Sequence, residues 1–258
     1  MPFYPKRRKY ARKGKKPKRT ARKSSKTFVK KVQAIIHKDV ETKSAYTQNT
    51  SVNFNSGINS AGDLQIIVPD VQNSTFDNGR IGDQVRGMRL RIGAILTSNL
   101  TFTSNSQCRL GVRVLILQPK MYSNYDAINA NATTWLGSLL KKGLATSGFT
   151  GLINDLYADV NTDAITVYYD KIHYINTPYM ATAVGEQSTY NSVRFIKKVI
   201  NLRNKLLRYD SAFNAGKTPV NFNPMMVCGY AHLDGSGPDT ITTQVSMTTN
   251  SYLDYEDA

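Results

Sequence analysis

Charge is spread so unevenly along this chain that one stretch of it cannot join any core. Residues 1–38 hold 16 of the 34 Lys and Arg and no Asp or Glu. The remaining 18 basic residues are matched by 18 acidic ones, so the net charge of +16 resides wholly in that first segment. A block of like charges repels itself and has little apolar surface to bury, so residues 1–38 are expected to be disordered when free. The cations are Lys6, Arg7, Arg8, Lys9, Arg12, Lys13, Lys15, Lys16, Lys18, Arg19, Arg22, Lys23, Lys26, Lys30 and Lys31, with Lys38 closing the run. At this density they suit a row of phosphates, and a nucleic-acid-binding arm is expected. Phe3, Tyr4 and Tyr10 are placed to stack on unpaired bases. Two sub-runs also fit a nuclear-import signal read by an import receptor: Lys6, Arg7, Arg8 and Lys9, then Lys15, Lys16, Lys18 and Arg19. Phe28, Val32, Ile35 and Ile36 fall near helical spacing. They are expected to lead the arm into the core, with a basic amphipathic helix as the alternative.

The body, residues 39–258, is about 220 residues long, which suits one large all-β domain or two small ones. No apolar run reaches the length of a membrane span, so no membrane insertion is expected. No apolar stretch follows the N-terminal charge, so no secretory leader is expected. Cys108 and Cys228 each sit in an apolar run and are expected to be buried free thiols. Sequons at Asn49, Asn73, Asn99 and Asn131 read as chance matches in a chain rich in Asn and Thr.

Strand texture begins at Val40 and runs to Phe54. Leu64 to Val68 is a short apolar run closed by Pro69-Asp70, and Asn78-Gly79 signals a turn. From Val85 to Leu96, Met88, Leu90, Ile92, Ala94 and Leu96 share one face, with Arg89 and Arg91 opposite. From Cys108 to Leu117, Cys108, Leu110, Val112, Val114 and Ile116 share a face, with Arg109 and Arg113 opposite. Arginines on the non-core face of both strands suggest one basic inner surface; an ordinary solvated sheet face is the alternative.

Met121 to Asp163 is long and irregular. It is expected at the surface and at subunit contacts, with Trp135 as anchor. Its one expected element is a short helix: Thr133 or Thr134 as cap, Trp135, Leu136, Leu139 and Leu140 as apolar face, Lys141 and Lys142 in the last turn, Gly143 as stop. Ala164 to Ile175 reads as a strand. Val193 to Tyr209 fits helical spacing through Phe195, Val199, Leu202 and Leu206, and period two through Ile196, Ile200 and Leu202. Its β-branched content and all-β surroundings favour two strands with a break between Asn201 and Asn204. Met225 to Leu233 and Ile241 to Tyr252 read as the last strands, and Asp254 to Asp257 as an exposed acidic tail. Short strands, one long insertion and one helix suggest a sandwich or jelly roll.

Catalytic chemistry is thin. His37, His173 and His232 lack Cys or acid neighbours at metal-ligand spacing, so neither a metal nor a cofactor is expected. Gly216-Lys217-Thr218 ends like a phosphate loop, but the loop's first glycine would fall on Ser211, and Pro219 follows at once. Asp155 and Asp159 read as solvated loop carboxylates, with a cation held between subunits as the alternative. The expectation is that the chain is not an enzyme.

A set of motifs in fixed order completes the reading. Behind the polybasic arm come Arg80-Ile81-Gly82-Asp83-Gln84-Val85 opening a strand, Tyr169-Asp170-Lys171, Asn201-Leu202-Arg203-Asn204-Lys205 with Tyr209, Asn223-Pro224 before a strand, then Tyr252 and Asp254. This order resembles the capsid proteins of small circular single-stranded DNA viruses, the circovirus-like group, over nearly the whole chain. The resemblance implies a single eight-stranded jelly roll of two packed antiparallel sheets. It implies self-assembly into an icosahedral T=1 shell of about 60 copies, with the arms inside on the genome. The implied partners are further copies of the chain, a single-stranded viral genome and a host import receptor. The implied locations are the virion and the host nucleus during infection. Sixty arms of this charge supply on the order of 1,000 positive charges, enough for roughly 1,000 nucleotides. Coats of small single-stranded RNA viruses and satellites share the layout and are the first alternative. A cellular basic-tailed nucleic-acid-binding module is the second, though it would normally carry basic charge on its folded surface too.

Overall fold

The computed structural model describes residues 42–74, 79–98, 109–176, 179–180, 187–188, 192–238 and 244–257. Thr42–Ala258 is one compact unit. The expected arm, the segment expected to lead it into the core and Cys108 lie outside the described residues.

Eight strands build two four-stranded sheets: β1 (Lys43–Phe54), β2 (Gln65–Ile66), β3 (Gln84–Ser98), β4 (Arg109–Pro119), β5 (Ile165–Asn176), β6 (Val193–Arg208), β7 (Met225–His232) and β8 (Val245–Asp257). The first sheet has the order β1-β8-β3-β6 and the second β2-β7-β4-β5. Every ladder is antiparallel, and β1 pairs with β8, β2 with β7, β3 with β6 and β4 with β5. That is one long hairpin wrapped into two facing sheets, the jelly-roll arrangement expected from the sequence.

The core between the sheets follows from the alternation. Leu90, Ile92, Ala94 and Leu96 of β3 point inward against Leu110, Val112, Val114 and Ile116 of β4. Met88 leaves the pattern. Asp254 pairs with Arg89 but Tyr255 with Gly87, so Met88 is the extra residue of a bulge, and the inward set continues at Val85. Directly opposite, β6 is one strand and not two. Asn201 pairs with Arg89 and Lys205 with Gly87, and the residues between form a second bulge, with Leu202 still turned into the core. Arg203 and Asn204 there take φ of 52° and 60°, the left-handed geometry that Asn tolerates and other side chains resist.

The second sheet is covered on its outer side as well. Between β4 and β5 lie α1 (Tyr125–Ala130), α2 (Ala132–Leu136) and α3 (Ile153–Tyr157), with a small ribbon of Leu140–Lys142, Ala145–Ser147 and Asp159–Val160. Ile128, Trp135, Leu136, Leu139, Phe149 and Leu156 of this insertion pack against Leu115, Leu117, Val227 and Ala231. Strand β7 is therefore buried along its whole length.

Four expectations for these elements are corrected. Three short helices replace one. Helix α2 begins at Ala132, without a Thr cap, and ends before Gly137; Leu140, Lys141 and Lys142 continue as ribbon strand. Trp135 is 5% exposed and its indole Nε1 donates to the Ile128 carbonyl at 3.0 Å, so it is a local core residue, not a contact anchor. Asp155 is fully buried rather than solvated: it accepts from Lys142 Nζ at 2.5 Å and from the Thr150 amide and hydroxyl at 2.6 and 2.7 Å. The acidic end is no exposed tail. Asp254 to Asp257 form the last part of β8, with Tyr255 fully buried and Asp254 4% exposed.

Candidate nucleic-acid interface

With the insertion on the second sheet, the outward face of the first sheet is the bare broad face among the described residues. Pairing register arranges its side chains in rows. One row runs Tyr46, Tyr252, Arg91, Val199 across β1, β8, β3 and β6. The two tyrosine rings lie 4.9 Å apart and tilted by 40°, and the Arg91 guanidinium stands 5.1 Å over the Tyr252 ring. Tyr46 is 48% and Tyr252 40% exposed, so both rings present an open surface. The next row runs Ser44, Asp254, Arg89, Asn201. Asp254 accepts from Ser44 Oγ at 3.0 Å, from Arg91 at 2.8 Å and from Arg89 Nε. Burial pushes its pKa up, but the hydrogen bonds from Arg89, Arg91 and Ser44 outweigh that and hold it below the ordinary carboxylate value. The buried carboxylate thus fixes two guanidinium groups that stay half exposed, 56% for Arg89 and 43% for Arg91. Fixed arginines beside open aromatic rings suit phosphates and unpaired bases.

Strand β6 adds charge. It carries Arg194, Lys197, Lys198, Arg203, Lys205 and Arg208 and no carboxylate, and it is an edge strand of the first sheet. Lys198 lies against the Tyr169 ring and Lys205 against Phe222, while Lys197, Arg203 and Arg208 are exposed. The body is neutral in sum but not in distribution.

The four body arginines expected on one basic surface do not share one. Arg89 and Arg91 lie on the bare face of the first sheet. Arg109 and Arg113 lie on the second sheet, on the side that the insertion covers. Arg113 is 4% exposed. It makes a bidentate pair with Asp170, at 2.9 and 2.6 Å, and donates to the carbonyls of Asp155 and Ala158, both at 2.7 Å. It fastens the insertion to the sheet. Arg109 is exposed and stands 5.2 Å from the Tyr174 ring centroid. The arm cations, Lys6 through Lys31, lie outside the described residues.

Sequence reasoning gave no site role to Tyr46, Phe195 or Lys197, and it read Asp254 only as a motif residue in an acidic tail. A run of six cations without an acid in β6 was legible. The rows were not, since they depend on register between strands far apart in sequence. The covered face of the second sheet had a signal: β4 and β7 are apolar on both faces, as Leu115, Leu117, Met225 and Val227 show.

His173 lies 3.1 Å from the Tyr169 hydroxyl. No group of three or more His, Cys, Asp or Glu suited to a metal occurs among the described residues. Asn214–Gly216 is a 3-10 turn whose Gly216 carbonyl accepts from Arg80 at 3.1 Å, not the end of a phosphate loop. Cys228 is a buried free thiol, its pKa raised by burial.

No family model matches the chain, and no curated protein is similar to it. Among solved structures it is similar to "Sacbrood virus of honeybee", at 12% identity and a TM-score of 0.34, over 83% of this chain and 71% of that chain. A likeness of that size carries no argument about function.

Proposed function

We propose that this chain is a viral coat protein. The jelly-roll body self-assembles into a closed shell, and the basic segment, residues 1–38, holds a single-stranded genome inside it. The observation that carries this reading is a pairing: a jelly-roll body with equal numbers of acids and bases, joined to a segment that holds 16 cations and no acid. A neutral body can pack against copies of itself without mutual repulsion, while the segment neutralises phosphates. The resemblance in motif order favours circular DNA as the genome, a T=1 shell of about 60 copies, and passage through the host nucleus by the two import-like runs. The reading includes no reaction.

The test is electron microscopy of the purified full-length protein, expected to show closed shells of one diameter. A protein that stays monomeric under all assembly conditions would overturn the reading. Nucleic acid released from such particles is expected to resist RNase and yield to DNase; the reverse would move the assignment to an RNA virus. Binding to single-stranded DNA over a salt series is expected to give a log–log slope of about −5 to −6 if half of the 16 charges engage. Removal of residues 1–38 is expected to flatten that slope. An unchanged slope would place the binding site on the body.

A further inference from the structure

The bare face of the first sheet has a gap in it. Between the row of Tyr252 and Arg91 and the row of Ile95 and Phe195 lies a row whose central member is Gly93. The rows on either side stand about 7 Å away along the strands. A Cβ built on Gly93 meets only the Asn250 carbonyl, at 3.9 Å, so the space above it is open. Glycine inside a strand weakens it, and one reason to hold it there is the close approach of another molecule. The row on one side holds Arg91 and the partly exposed Tyr252 ring beneath it, and the row on the other side is apolar, with Phe195 73% exposed. Lys197 stands in the Gly93 row on the edge strand β6.

We propose that this slot takes an unpaired base of a single-stranded nucleic acid: Gly93 is the floor, Tyr252 and Phe195 are the walls, and Lys197 and Arg91 meet the adjoining phosphates. The assignment rests on the coat-protein reading for its ligand. Charge selects that ligand over an apolar partner, because Arg91 stands in the adjoining row and Lys197 in the Gly93 row itself, with no carboxylate in either row.

The test compares two oligonucleotides of equal length, one of thymidines and one of abasic sugar-phosphate, titrated against full-length protein by anisotropy. Wild type is expected to prefer the base-bearing strand about tenfold or more, as stacking on aromatic side chains does elsewhere. Gly93→Leu fills the slot and is expected to lower the preference severalfold, the remainder coming from Phe3, Tyr4 and Tyr10, with the salt slope unchanged, because the basic segment sets that slope. Tyr252→Ser, at an exposed position, is expected to do the same and stands as the second variant should Gly93→Leu melt early. A preference unchanged in a folded variant would overturn the slot and leave the coat reading standing. Loss of particles in Gly93→Leu with the base preference intact would also overturn it, and would make this face a contact between copies. Failure of wild type to bind either oligonucleotide would overturn the coat reading and the slot together.

Discussion

Arg113 and Asp254 use the same ingredients in opposite ways. Arg113 is a buried cation surrounded by acceptors, and Asp254 is a buried carboxylate beneath half-exposed cations. Removing the buried member should cost far more than removing an exposed one. Arg113→Ala is expected to destabilise the full-length chain by about 3–5 kcal/mol, since it strands Asp170 and two carbonyls. Arg89→Ala is expected to cost no more than about 1 kcal/mol. Urea unfolding of both variants checks the contrast. Acid should act on the same groups. For Asp155 as for Asp254, burial raises the pKa, but hydrogen bonds, here from Lys142 and Thr150, outweigh it and leave the folded value depressed. The stability each contributes is fully present above the unfolded-state value of about 3.9 and is lost as pH falls through the lower folded value. Asp155→Asn and Asp254→Asn are therefore expected to lower stability at neutral pH and to converge on wild type in strong acid. Melting curves over a pH series read this directly.

At the scale of elements, the insertion between β4 and β5 is where the sequence misleads. Its helices have six, five and five residues, too short for a 3.6-residue period to stand out. Its apolar residues also serve a face that the alternation of β4 alone does not reveal. By contrast β3, bare on one face, was legible almost to its ends, and only the bulge at Met88 broke the count. β6 was ambiguous because its own bulge inserts residues that disrupt period two. The packing of the insertion is tight enough to test at one atom. A Cβ on Gly229 would fall 2.7 Å from Phe149 Cε1 and 2.8 Å from Ile58 Cγ1. Gly229→Ala is expected to cost about 1–3 kcal/mol by overpacking. The loss should appear first as increased protease cleavage within residues 120–164, while the ladder of the first sheet stays intact.

For the whole molecule, the one tryptophan becomes a reporter that ignores assembly. Trp135 is buried by its own chain, so particle formation and dissociation are expected to leave its emission maximum unchanged, and unfolding is expected to shift it to the red. A shift on assembly alone would mean that the insertion rearranges at subunit contacts. The wrapped-hairpin pairing also sets a timetable. Ser44 bonds to Asp254, 210 residues further on, and among the described residues β8 is the one ladder partner of β1. During synthesis at about 5–20 residues per second, the cation-rich segment and β1 wait several seconds or more before β8 exists. Contacts so distant in sequence also close slowly once they can. A translational pause before residue 245 would leave β1 as an unpaired strand edge beside a strongly cationic segment, which makes the rate of elongation through the last strands a determinant of how much chain reaches the folded state instead of aggregating.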